Sequence, residues 1–227
     1  MWPSIFALAY GVVFYLGERI SNIIQRPHSA TLIGMTAFLG MTLAVALRRY
    51  HFARKGHARI CALLPGLIWI LWDAANEHNS TFSLTWIEVC LAAVCGMIEE
   101  IAFRGCLWEG MKIRNPVLAM SINSLLFGVF HCANLVGENT MLVCTQMVCA
   151  VSVGMLFCGI TVSCGSFIPA MILHGLLNLF GSFFCAEKLS TLGLISLVVV
   201  ATYSTLVGIW LTIESTKERE SKDEILH

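Results

Sequence analysis

The chain has 227 residues, 57% of them hydrophobic and 12% charged, whereas a water-soluble domain carries about 25% charged side chains. Lys plus Arg and Asp plus Glu each total 14, so no basic excess is available to neutralise phosphates, which excludes nucleic acid as a partner. At about 20 residues per bilayer crossing, this length accommodates about seven or eight helices and no soluble second domain.

Apolar runs lie at about 2–17, 30–47, 60–73, 83–111, 116–136, 140–162, 166–186 and 191–213. They are too long and too continuously apolar for barrel strands, which would alternate. The expected fold is all-α, a polytopic membrane helix bundle with about eight transmembrane helices. Residues 1–213 would form a single domain, followed by a charged cytoplasmic tail over 214–227 with little fixed structure. The first run, MWPSIFALAYGVVFYLG, lacks the basic start and small-residue cleavage site of a signal peptide and is read as a retained span. In the short third run, Trp69 and Trp72 belong to an interfacial aromatic belt. The final EILH is no prenylation box. The cysteines, ten in all, lie singly in apolar runs and read as small hydrophobes rather than a disulfide framework.

Orientation follows the cations, because short loops rich in Lys and Arg stay cytoplasmic. With eight spans and both termini inside, 11 of the 14 cations fall on inner segments, and only Arg19, Arg26 and Lys188 fall outside.

The fourth run, SLTWIEVCLAAVCGMIEEIAFRGCLWEGM, places Glu99, Glu100 and Arg104 where an ionised side chain costs about 2.5–3.5 kcal/mol. Glu100 and Arg104, four apart, share a helix face and can pair. Glu99 sits about 140° around the helix from Arg104 and needs a partner on another helix, or else a proton. Glu88 and Glu109, near the ends of this run, are expected at the interface.

The fifth run carries Phe127 and His131 at i,i+4, with Asn123 and Asn134 on roughly the same side; the seventh carries His174 and Asn178 at the same spacing. Each polar stripe must face the bundle interior or a water-filled cavity. At about 1.5 Å per residue, Glu99 lies about 20 Å from the cytoplasmic boundary, His131 about 22 Å, and His174 and Asn178 about 12 and 18 Å.

A carboxylate and an imidazole sharing a water in a low-dielectric cleft form a general-base arrangement, with neighbouring donors holding the oxyanion. Glu99 and His131 suit the water, His174 and Asn178 the oxyanion. Hydrolysis of a peptide bond delivered from the cytoplasmic side is the reaction this implies. Arg104, held by Glu100, either orders the helix or meets a substrate carboxylate.

At these residues the chain resembles the CPBP family of intramembrane proteases, which includes the CAAX prenyl endopeptidases and the bacteriocin-processing and immunity (Abi) proteins. The segment Glu99-Glu100-Ile101-Ala102-Phe103-Arg104-Gly105 matches EExxxR, Phe127 with His131 matches FxxxH, and His174 with Asn178 matches HxxxN, in order over a core of about 84–180. The resemblance implies the same roles for Glu99, His131, His174 and Asn178, with Phe127 packing. It also implies a membrane-associated peptide or protein substrate, prenylated or leader-bearing. Short loops resemble a bacterial member, and hence a bacterial plasma membrane.

Two rival readings accompany this one. Glu99, His131 and His174 form a set able to bind zinc or another divalent metal with an open position for water, although the HExxH spacing is absent; no cofactor is the favoured reading. A non-catalytic immunity or peptide-binding membrane protein would use the same cavity without cutting. Cys132, next to His131, points about 100° away on a helix and makes a poor thiol nucleophile.

Overall fold

A computed structural model of the protein describes residues 2–49, 66–68, 85–111, 113–136, 139–181 and 191–225. Among these residues the regular structure is entirely helical, with no strand. Helices α1 (Trp2–Ile23) and α2 (Ser29–Arg49) form an antiparallel pair. Helix α3 (Trp86–Glu100) leads into a π-helical segment, Ile101–Leu107, and a last turn, Trp108–Gly110. Helix α4 (Pro116–Phe130) ends in a 3-10 segment, His131–Val136, and is followed by α5 (Thr140–Cys164), α6 (Ile168–Gly181) and α7 (Thr191–Ile225). The expected third span, with Trp69 and Trp72, lies outside the described residues apart from 66–68, which are helical.

Helix starts follow from local chemistry. Thr85 and Glu88 form a capping box: the Thr85 hydroxyl accepts from the Glu88 N–H and the Glu88 carboxylate accepts from the Thr85 N–H. Glu88 therefore helps to start the helix. Asn115 caps α4 with Pro116 in the first turn, Asn139 caps α5, and Gly165 ends α5 with φ 65°, a left-handed conformation that suits glycine.

Three elements depart from the sequence expectation. The run over 83–111 is not one regular helix, because Ile101–Leu107 widens into a π turn. There the Trp108 N–H reaches back to both Gly105 O and Phe103 O, and the fully buried Asn123 donates its Nδ2–H to Phe103 O at 2.7 Å. The run over 116–136 stays α-helical only to Phe130. The charged segment after Ile213, expected to lack fixed structure, continues α7 as helix to Ile225. Its Lys, Arg and Glu residues are good helix formers, and nucleation has already been met by the apolar turns before them.

Two stretches, Thr140–Cys164 and Gly193–Glu218, are long and apolar enough to cross a membrane; Pro116–Phe130 and Ile168–Leu179 are apolar but shorter. The 15 α-helical residues of α4 reach about 22 Å, less than a hydrocarbon core of about 30 Å. Among the described residues two helices are thus clear membrane-span candidates, and eight spans are not confirmed. They differ in environment: the window in α5 is 72% buried and that in α7 only 22%. α5 is the central post, whereas α7 turns Leu194, Val198, Val199, Leu206 and Trp210 outward, an apolar face larger than water tolerates.

Leu156, Phe157, Ile160, Leu173, Leu197 and Leu211 join α5, α6 and α7 into one apolar cluster. Phe6, Met35, Phe38, Ile98, Phe103 and Phe127 join α1, α2, α3 and α4 into another. Small residues let backbones approach where these groups meet. A Cβ on Gly96 of α3 would stand 3.0 Å from the Gly175 backbone nitrogen of α6, which brings α6 against the acidic end of α3.

Asn123 satisfies a buried carbonyl at the π segment, and its own Oδ1 accepts from Cys158 Sγ at 3.5 Å. Asn123→Ala should therefore destabilise the fold by about 1–3 kcal/mol, read as a lowered unfolding midpoint of the detergent-purified protein. An unchanged midpoint would remove this bond from what holds the π segment.

Candidate active site

The last α-helical turn of α3 ends on two consecutive carboxylates, and the start of the π segment brings Arg104 below them. Glu100 and Arg104 are almost wholly buried, 0% and 2% exposed, so every charge there needs a partner. Glu100 Oε1 accepts from Arg104 Nη1 at 3.0 Å and lies 2.8 Å from His174 Nδ1. Arg104 Nη2 donates to Gly154 O of α5 at 3.3 Å, and its guanidinium lies 4.3 Å from the centre of the Phe127 ring, a cation–π distance. A Cβ on Gly154 would come within 3.3 Å of Arg104 Nη2. One carboxylate oxygen thus links α3 to α6, and its arginine partner links both to α4 and α5.

Glu99, on the neighbouring face, is 6% exposed. Its Oε1 accepts from the Tyr10 hydroxyl of α1 at 2.8 Å. Its Oε2 has no hydrogen-bond partner among the described residues and stands 3.6 Å from His174 Nε2, beyond hydrogen-bond range. His174 thus lies between the two carboxylates, with Nδ1 on Glu100 and Nε2 turned toward Glu99. A carboxylate can only accept, so the Nδ1 proton of His174 is the one donated.

His131 closes the other side. It is the C-cap of α4, where the helix tightens into the 3-10 segment, and its Nδ1 lies 2.9 Å from Phe127 O. Because a carbonyl cannot donate, Nδ1 carries the proton and Nε2 keeps its lone pair. Glu99, His174 and Arg104 all lie within electrostatic reach of the ring. Phe127, 2% exposed, packs edge-on against both imidazoles, with ring centres 5.0 Å from His131 and 5.6 Å from His174.

The structure gathers Glu99, Glu100, Arg104, Phe127, His131 and His174 at one level of the bundle. Asn178, one turn beyond His174, donates to Ala92 O of α3 at 3.4 Å. Asn134, expected on the His131 side, instead donates to Gln146 Oε1 of α5, because the 3-10 turn changes the angular phase after Phe130. Glu109 is exposed. Among the described residues no group of three or more His, Cys, Asp or Glu side chains is arranged to hold a metal ion, and the His174 Nδ1 is already engaged. A cavity of about 190 Å³ opens below the cluster between Trp108, Pro116, Thr161, Phe167 and Thr216, reaching it at Arg104; Glu99, His131 and Asn178 are not among its walls.

The residue missed by sequence reasoning is Tyr10, in a run read only as a span. The available signal was an aromatic stripe, Phe6, Tyr10 and Phe14 at four-residue spacing, with one hydroxyl in its middle. Such a stripe reads equally as lipid-facing, so the partner could not be named from it.

Residues 81–180 match the family model described as Type II CAAX prenyl endopeptidase Rce1-like. No curated protein and no solved structure matches the chain. The matched stretch spans all of α3 to α6 except the last residue of α6 and includes Glu99, Glu100, Arg104, Phe127, His131, His174 and Asn178; α1 and Tyr10 lie before it. Together with the lipid-suited face of α7, this points to an integral membrane protein. Residues 81–180 carry an Rce1-like type II CAAX prenyl endopeptidase domain, consistent with the CPBP family.

Proposed function

We propose that the protein is an intramembrane endopeptidase of CAAX type, which hydrolyses a peptide bond in a membrane-associated peptide or protein presented from the cytoplasmic side. Glu99 and His131 activate the attacking water, and His174 and Asn178 stabilise the oxyanion. The observation that carries this reading is the Glu99 carboxylate: buried among apolar helices, with one oxygen held by Tyr10 and the other without a hydrogen bond and facing an imidazole.

In this reaction the water oxygen attacks the scissile carbonyl carbon while its proton passes to the Glu99/His131 pair, His131 accepting at the Nε2 lone pair. The carbonyl oxygen becomes an oxyanion, the carbon–nitrogen bond breaks, and the same proton leaves on the amine. His174 donates to the oxyanion through Nε2–H, which requires a second proton on the ring; Glu99 and Glu100 on either side supply the countercharge. Asn178 contributes its amide once released from Ala92 O. Glu100 and Arg104 hold His174 and α3 in register. The family description supports a prenylated CAAX terminus as the substrate.

Glu99→Gln and His131→Ala, assayed as purified protein on a farnesylated CAAX peptide, should each lose about 10²–10⁴-fold in turnover while keeping the wild-type unfolding midpoint. Wild-type turnover in both variants would remove the catalytic assignment. The reaction is proposed to be metal-free: prolonged chelation should leave the rate unchanged, and a loss restored by added zinc would reassign Glu99, His131 and His174 as ligands. The proposed topology has eight spans with both termini cytoplasmic, so a reporter fused after His227 should be read on the cytoplasmic side, and a reading on the opposite face would invert it.

A further inference from the structure

Tyr10 stands apart from the rest of the polar cluster. It belongs to α1, outside residues 81–180, yet its hydroxyl donates to Glu99 Oε1 at 2.8 Å. Its ring packs edge-on against Phe130 at 4.9 Å between centres, and Phe130 directly precedes His131. The same residue therefore touches the carboxylate on α3 and the end of α4 that presents the imidazole.

A glutamate carboxylate turns readily about its last torsion, which is broad, and at intermediate angles neither oxygen is aimed at a fixed water. A fixed donor on Oε1 removes that freedom. It leaves Oε2, without a hydrogen bond, as the oxygen directed toward His174 Nε2. Further rings hold the Tyr10 side chain: Phe14 lies parallel to it at 6.5 Å and Phe38 edge-on at 6.3 Å, so α2 braces the contact as well.

We infer that Tyr10 is a positioning residue for hydrolysis. Its hydroxyl orients the Glu99 carboxylate and its ring seats the His131 turn, so that α1, a helix outside the matched domain, completes the site. This rests on Glu99 being the carboxylate that activates water.

The test compares full-length wild type, Tyr10→Phe, Tyr10→Ala and Glu99→Gln on a farnesylated CAAX peptide, with the infrared carboxylate band of Glu99 assigned by its loss in Glu99→Gln. Tyr10→Phe keeps the ring packing and removes the hydroxyl, with its bond to Glu99 and its contact with Cys95. It should lower kcat about tenfold, leave KM and the unfolding midpoint unchanged, and shift the Glu99 band. Tyr10→Ala should lose more, because the brace on Phe130 goes too. Wild-type kcat in Tyr10→Phe beside an inactive Glu99→Gln would overturn the positioning role alone. So would an unmoved band, or a change confined to KM. An active Glu99→Gln would overturn the catalytic reading and this inference with it.

Discussion

Everything at the centre of the bundle depends on one buried carboxylate oxygen, Glu100 Oε1, which receives both Arg104 and His174. Removing ionised groups from water costs several kcal/mol per ion, and only close, well-directed partners return that energy. Here the partners come from the π segment and from α6, while Arg104 extends the link to a backbone carbonyl of α5 and to the face of Phe127. The charges that look least at home in an apolar chain are the ones that connect its helices.

Connection at that level requires backbones to come close. Gly96 against Gly175 brings α6 to α3 where the carboxylates emerge, and Gly154 makes room for the guanidinium. The π segment changes the helical phase between Glu100 and Trp108 and is held by the Asn123 amide on Phe103 O. At the end of α4 the tighter 3-10 turn stops the helix at His131. The π segment is buried from Ile101 to Cys106, the setting in which a membrane interior tolerates non-ideal backbone, whereas the 3-10 segment is half-buried with Leu135 exposed.

The adjacent glutamates differ in their partners. Glu100 offers one oxygen to a cation and an imidazole, while its Oε2 is buried with no hydrogen-bond partner among the described residues. Glu99 has one oxygen on the neutral hydroxyl of Tyr10, and its other oxygen, without a hydrogen bond, stands 3.6 Å from His174 Nε2. Phe127 packs edge-on against both imidazoles and carries the arginine on its face.

Sequence alone determined the composition class, the all-helical fold, the pairing of Glu100 with Arg104, and the need of Glu99 for a partner on another helix. Each follows from the energetic cost of charge in hydrocarbon or from spacing along a single helix, and both are local properties. It did not determine that the partner would be Tyr10, that Asn134 would turn away to Gln146, that His174 would sit between two carboxylates, or that the charged end would continue α7 as helix. Those outcomes depend on where helices distant in the chain meet and on changes of helical phase at Ile101–Leu107 and His131–Val136. Such changes arise when packing outweighs regular i→i−4 bonding, a competition that only the assembled bundle decides.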